Sequence, residues 1–504
     1  MSIKRVLPLL LTIVIIKGLL PFRVQAQPAV PAVQAVTVSD LSGSPKTTFS
    51  PGETIRYTVS FTADGLSFLR VRGTVSFTSA PPEKLPLQYK TGSGDYTISW
   101  DSIVPAQALG EATVTVRYFS LPGRFGTSSA TFTVAEKPPL PAATYVGTSL
   151  CIACHSGFSK DIVDAYNESG HHFALNAVSS TAPVYPGFAP GVPQPPSTFS
   201  WPDILYVAGG YGWAAQFVNQ DGYIITNGAD AVDSQYNLPS TFLGLSGQFV
   251  EYESGQAEPK EFTCGPCHAT GYSDAGHQDG KDGIVGIWKE PGVGCEACHG
   301  PGSNHTANPI GVKPPLDPAD ACVTCHVRDN TAVVEASDGL ILSQQQSDEL
   351  KAGVKSYFTC VACHNPHASA HYDQSAQGTA IIQDCTSCHN DKTVGLGMSF
   401  LRCIDCHMPY AVKSGAHISY QDPENLSLHV GDLRSHIFTI NPEAESPADM
   451  FTPDGTAIAV DGTGKAKGLT LDFVCLSCHR QGGLANTAYS FEQVKALAGA
   501  VHPK

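Results

Sequence analysis

Gly294-Cys295-Glu296-Ala297-Cys298-His299 decides how the C-terminal two-thirds of this chain must fold. Two thiols three residues apart reach the two vinyl groups of one haem, and the histidine that follows is held beneath the iron. This is the attachment signature of c-type haem. The pattern occurs at Cys151-Cys154-His155, Cys264-Cys267-His268, Cys295-Cys298-His299 and Cys322-Cys325-His326. It recurs at Cys360-Cys363-His364, Cys385-Cys388-His389, Cys403-Cys406-His407 and Cys475-Cys478-His479. These eight motifs use all 16 cysteines. Zinc ribbons pair such cysteines without needing a histidine after every pair. A disulfide framework would not set every cysteine three from another, and a redox dithiol needs one motif. Eight covalently attached haem c groups are therefore expected, with iron held by His155, His268, His299, His326, His364, His389, His407 and His479.

Ten further histidines remain: His171, His172, His277, His305, His367, His371, His417, His429, His436 and His502. After the initiator the chain has only Met398, Met408 and Met450, so thioether ligation is at most minor. The expected distal ligands are His171, His277, His305, His367, His371, His417, His429 and His436. His172 is the most dispensable, and His502 could reach an iron in its own chain or in a neighbour. Bis-imidazole iron is low-spin and low in potential, with no open position for a substrate.

Outward from the motifs the composition changes. The haem region allows about 45 residues per motif, so haems must pack on one another and regular structure should be sparse, mostly short helices and irregular loops. Residues 158–177 read as helical, Asp317-Pro318 as a helix start, and residues 490–500 as a C-terminal helix. Residues 27–137 contain neither cysteine nor histidine and alternate with period two. The apolar positions are Ile55, Tyr57, Val59, Phe61, Val75, Phe77, Tyr96, Ile98, Trp100, Val114, Val116, Tyr118, Phe132 and Val134, with turn signals at Ser50-Pro51-Gly52-Glu53 and Thr91-Gly92-Ser93-Gly94-Asp95. That predicts an all-β, immunoglobulin-like sandwich of about seven strands. A fold of this kind names no function, and a spacer or docking role is its plainest reading.

Residues 1–26 read as a secretory signal peptide: Lys4 and Arg5, an apolar stretch from Val6 to Ile16, then Val24-Gln25-Ala26 for cleavage. The expected division is 1–26 signal, 27–137 β-sandwich, 138–144 Pro-rich linker and 145–504 octahaem domain, a multidomain chain whose second part is mostly α and irregular. The mature protein is expected in the periplasm or outside the cell, with no later apolar run of membrane-spanning length. Of the formal net charge of −15, the haem region carries −20 before any propionate is counted. Such acidity excludes a general nucleic-acid binder and favours basic redox partners or positively charged acceptors.

The chain resembles multihaem cytochromes of the cytochrome c-554 type. The resemblance rests on Gly209-Gly210-Tyr211-Gly212-Trp213, Asp221-Gly222-Tyr223, Cys264 to Tyr272, Cys295 to His305, Cys403 to Tyr410 and Gly431 to Phe438, and covers most of residues 145–482. It implies that Ser169-Gly170-His171, the Gly-Pro-Gly-Ser-x-His element ending at His305, and Arg434-Ser435-His436 supply distal ligands. His367, in Asn365-Pro366-His367, is similarly a ligand to a neighbouring haem. The wider group includes hydroxylamine oxidoreductase, pentahaem nitrite reductase and octahaem tetrathionate reductase. This chain has no Cys-x-x-Cys-Lys motif, and its motif spacing does not match hydroxylamine oxidoreductase, whose catalytic haem is cross-linked to a tyrosine. Tyr410 is expected only to pack on a haem. The first expectation is thus an electron carrier to a periplasmic or extracellular acceptor, with no catalytic residue of its own. An oxidoreductase acting on hydroxylamine, nitrite or tetrathionate at one five-coordinate haem is the alternative. A subunit of a self-assembling conductive filament is a third.

Overall fold

The computed structural model describes residues 32–63, 68–92, 94–120, 124–137, 139–314, 321–328, 333–372, 380–485 and 487–502. The signal stretch and Asp317-Pro318 lie outside the described residues. The chain divides into two compact units, with the boundary between Leu140 and Pro141.

The first unit holds strands β1 (Ala32–Val33), β2 (Thr37–Ser39), β3 (Thr48–Phe49), β4 (Thr54–Ala63), β5 (Leu69–Phe77), β6 (Glu83–Lys84), β7 (Gln88–Lys90), β8 (Gly94–Ile103), β9 (Gly110–Ser120) and β10 (Arg124–Val134). One sheet is centred on β4, which pairs with β1, β2 and β8. The other runs β3-β10-β9-β5-β6, with β7 also on β5. All pairings are antiparallel except β3 with β10. Because side chains alternate across a strand, the period-two positions fall on one face of each sheet. Ile55, Tyr57, Val59 and Phe61 from one sheet and Val75, Val114, Val116, Phe132 and Val134 from the other form a single buried cluster, with Phe77 and Tyr96 packed at its edge. Trp100 is buried there too, and its indole N–H donates to the Pro86 carbonyl at 2.7 Å. The sequence pattern marks the five long strands; the short ones at the sheet edges carry too few residues to show a period.

The second unit has the short helices and irregular segments expected of it, together with sheets that were not expected. Its α-helices are four to eight residues long among the described residues, and two sheets of four or more strands are built from segments between the motifs. The larger joins β11 (Leu175–Ala177), β12 (Ile204–Gly209), β13 (Ala214–Asn219), β14 (Tyr223–Ile224), β15 (Gln235–Asn237), β16 (Gln248–Val250) and β17 (Lys260–Glu261). Both faces of its centre are covered: Tyr206, Ala208 and Val218 enter one apolar cluster, Val207, Ala215 and Phe217 another. A strand buried on both faces reads as an unbroken apolar run rather than an alternation. After the two-residue strands β18 (Ala269–Thr270) and β19 (Glu290–Pro291), the last sheet is β20 (Ala336–Ser337), β21 (Leu340–Leu342), β22 (Val412–Gln421) and β23 (Ser427–Leu433).

The helix expected over 158–177 stops at Lys160–Asn167. Beyond it, the carbonyl of His171 accepts from Val293 N–H and residues 175–177 join β11. Tertiary hydrogen bonds therefore replace helical ones. The C-terminal helix forms over Phe491–Ala498, capped by Ser490, whose hydroxyl accepts from Gln493 N–H while the Gln493 side chain accepts from Ser490 N–H. No helix among the described residues is long and apolar enough to cross a membrane.

Candidate haem-binding site

Each motif forms about one helical turn. The backbone N–H of the motif histidine donates to the carbonyl of the first cysteine in His268, His326, His364, His389 and His479, at 2.9–3.0 Å. Residues i, i+3 and i+4 of such a turn share a face, so both thiols and the imidazole project together. Helices over Thr148–His155, Gly265–His268, Cys295–His299 and Cys403–His407 do this. So do 3₁₀ turns at Cys322–Thr324, Cys360–Ala362 and Cys385–Ser387, and a π-helix at Asp472–Leu476.

Thiols of different motifs then meet. Cys151 lies beside Cys295, Cys267 beside Cys325, Cys322 beside Cys360, and Cys385 beside Cys403, each near enough to shift its neighbour's ionisation. Cys298 lies in electrostatic range of Cys325, Cys363 of Cys388, and Cys406 of Cys478. The motifs therefore form one continuous series, first, third, fourth, fifth, sixth, seventh and eighth, with the second beside the fourth.

Five motif histidines face a second imidazole. Ring centres are 6.2 Å apart for His155 and His305, 6.3 Å for His326 and His171, and 6.2 Å for His299 and His367. They are 6.1 Å apart for His364 and His436, and 6.2 Å for His407 and His502. A metal–imidazole bond is about 2.0 Å and a ring nitrogen lies about 1.1 Å from its centre, so two rings sharing one metal atom stand about 6.2 Å apart. The spacing fits haem iron between each pair.

Orientation is set from behind the rings. Nδ1–H of His305 donates to Val312 O at 2.7 Å, of His407 to Phe438 O at 3.0 Å, and of His502 to Thr393 O at 2.8 Å. Nδ1–H of His268 donates to Ala174 O at 2.7 Å, of His479 to Thr487 O at 3.1 Å, and of His277 to Ile284 O at 2.6 Å. A carbonyl only accepts, so the proton sits on Nδ1 and the Nε2 lone pair is left for a metal. Burial also disfavours the charged form of several rings in the facing pairs. It holds His171, His299, His364 and His367 below the usual histidine range and pushes His436 down to about 3.

Four expected ligands, His277, His371, His417 and His429, face no motif histidine among the described residues. His371 packs on Trp213 with ring centres 4.4 Å apart, and burial pushes it down to about 4. His172 stands edge-on to Tyr166. His417 and His429 face each other at 6.2 Å rather than a motif histidine. Among the described residues no histidine ring stands at the paired spacing from His268, His389 or His479; His389 Nε2 instead meets Lys355 Nζ at 2.9 Å. His502, left open by the sequence, takes the position opposite His407. Tyr410 stacks on Phe242 and lies beneath the Arg434 guanidinium.

A buried carboxylate ties the first and third motifs together. Glu296 accepts from the backbone N–H groups of Val146, Gly147 and Gly302 at 2.6–3.0 Å. Thr148 Oγ1, which donates to Glu290, accepts from Cys295 N–H. Gly294 allows this closeness, since a Cβ there would stand 2.2 Å from Thr148 Oγ1. Glu296→Ala would strand three donors, at about 1–3 kcal/mol for each that stays buried. The expected loss is about 3–5 kcal/mol, the scale for breaking a buried charged group's contacts. Denaturant unfolding of the haem-loaded protein followed by circular dichroism checks this; an unchanged midpoint would contradict it.

Two family models match this unit: the doubled Cys-x-x-Cys-His motif over residues 352–394, and cytochrome c554 and c-prime over residues 246–300. Multiheme cytochrome MtrA of Shewanella baltica (strain OS185) is 24% identical over 176 residues, covering 32% of this chain and 49% of that protein. The chain thus spans about half the length of that curated relative. These findings support a multihaem c-type cytochrome. The chain also aligns with two solved structures at 11% identity. A CARDB domain from Pyrococcus furiosus matches over 21% of this chain and 89% of its own at a TM-score of 0.15. A PapD-like domain of human CEP192 matches over 23% and 99% at 0.13. At those scores neither bears on the fold.

Proposed function

We propose that the chain is an exported octahaem cytochrome that carries electrons through closely packed, mostly bis-histidine haems to a periplasmic or extracellular acceptor. The observation that carries this reading is the five facing imidazole pairs, with the cysteines of successive motifs near enough to act on one another electrostatically. Bound haem supplies iron that cycles between ferric and ferrous states; the chain fixes its ligands from behind by backbone carbonyls and brings the attachment points together. The signal-like N-terminus supports export, and the acidity of the haem unit supports basic partners. The immunoglobulin-like β-unit serves as a spacer or docking module. Haem quantified as pyridine haemochrome, with EPR of the ferric protein, tests the reading. Eight haems per chain with predominantly low-spin signals are expected; fewer haems, or high-spin iron dominating the spectrum, would refute it.

A second reading is favoured by His389. It is exposed and meets an amine in place of an imidazole, so its haem is the candidate for a sixth position open to hydroxylamine, nitrite or tetrathionate. Adding each compound to the ferric protein should perturb one high-spin signal if this haem is catalytic, and leave every spectrum unchanged if it is not.

A further inference from the structure

His417 on β22 and His429 on β23 sit on one face of a hairpin. In its register His417 is opposite Gly431 and Ser419 opposite His429, so the two imidazoles are diagonal neighbours on the same side. Their ring centres are 6.2 Å apart, within 0.1 Å of the five pairs assigned to haem iron, yet neither follows a cysteine motif. The surroundings are polar. Ser419 Oγ is 3.0 Å from His429 Nδ1, and Asp338, in the turn between β20 and β21, lies in electrostatic range of both rings, as Lys413 does of His417. The next residue of that turn, Gly339, has φ +74°, and a Cβ on it would stand 2.9 Å and 3.2 Å from His429 Cδ2 and Nε2. The backbone thus leaves open the space beside the atom that would bind a metal. Both histidines are only partly buried, so water can reach the space between the rings.

We propose that His417 and His429 bind a divalent first-row transition-metal ion, with water completing its shell and the Asp338 carboxylate adding favourable charge. Among the described residues no group of three or more His, Cys, Asp or Glu side chains is gathered into a metal cluster, so the site is a two-imidazole one and favours copper, the strongest binder in the divalent series. The opposite face of the hairpin presents Leu428 and Tyr420 to the cluster that contains Cys475. The bound ion would therefore lie one sheet away from the last motif of the series. The site does not depend on the electron-transfer reading.

The test is titration of the haem-loaded protein with Cu(II) alone, read by copper EPR and calorimetry. One equivalent with nitrogen hyperfine coupling from two imidazoles is expected. His417→Ala and His429→Ala should each weaken uptake at least about tenfold, the scale of loss seen even for an outer-shell partner, with the low-spin haem signals unchanged. Two outcomes overturn the proposal. Equal copper uptake by the parent and the double variant would show that there is no site. A new high-spin haem signal in either variant would show that the imidazole binds haem iron instead.

Discussion

His436→Ala is expected to turn one low-spin iron high-spin while the number of covalent haems stays constant. Cys360 and Cys363, which attach that haem, are untouched, and so is His364 on the near side. What disappears is the imidazole standing 6.1 Å from His364. His436 is the most deeply enclosed of the paired ligands, and burial pushes it down to about 3. Its lone pair is therefore held available for a metal. The backbone at this point is held separately: Glu349 Oε2 accepts from His436 N–H and from Ser435 Oγ, each at 2.7 Å. The loop should thus survive loss of the side chain. Emptying a buried ring site costs about 3–5 kcal/mol, and the weakened axial field should raise the potential of that haem by a substantial fraction of the ~0.8 V range that axial ligands span. EPR and a spectroelectrochemical titration check both effects, and added imidazole should restore the low-spin signal. The control is His172→Ala, whose ring faces Tyr166 and whose loss should leave every haem signal in place. A His436→Ala spectrum identical to the parent's would refute the pairing.

The haem chemistry was legible because it is local. Attachment needs three side chains within five residues, and one helical turn supplies them wherever the motif occurs. The β-sandwich core was legible for the same reason: the period of two in Ile55 to Phe61 is written in the strand itself. The distal pairings are not local. His436 meets His364 across 72 residues and His171 meets His326 across 155, and no spacing rule encodes those encounters. His502 could not be placed because nothing around it points to Thr393, whose carbonyl orients it. The His417–His429 juxtaposition depends on recognising the turn at Asp422-Pro423-Glu424-Asn425, where Asp422 Oδ1 accepts from the N–H groups of Glu424 and Leu426. The sheet around β12 and β13 was missed because burial on both faces erases the alternation that marks a strand.

The motifs are not equally embedded, and removing the most exposed one should separate attachment from folding. Cys385-Thr386-Ser387-Cys388-His389 forms a 3₁₀ turn with no buried residue. By contrast Cys475 lies in a π-helix among buried Asp472, Phe473, Val474 and Leu476. Cys295 is tied through Glu296 and Thr148 to the first motif. Cys385→Ala with Cys388→Ala is therefore expected to give a folded protein with one haem fewer, whereas the same pair of changes at Cys295 and Cys298 should prevent accumulation of folded cytochrome. The functional consequence follows from the order of contacts. The sixth motif joins the fifth, through Cys363 and Cys388, to the seventh, through Cys385 and Cys403. Its loss breaks the series in the middle. Reductant entering near the first motif should then still reduce the haems of the first five motifs quickly, while those of the seventh and eighth lag. Stopped-flow reduction by a large basic donor protein reads this as a single fast phase in the parent and as two well-separated phases in the variant. Retention of one uniform phase would mean that electrons reach the last two motifs by another route.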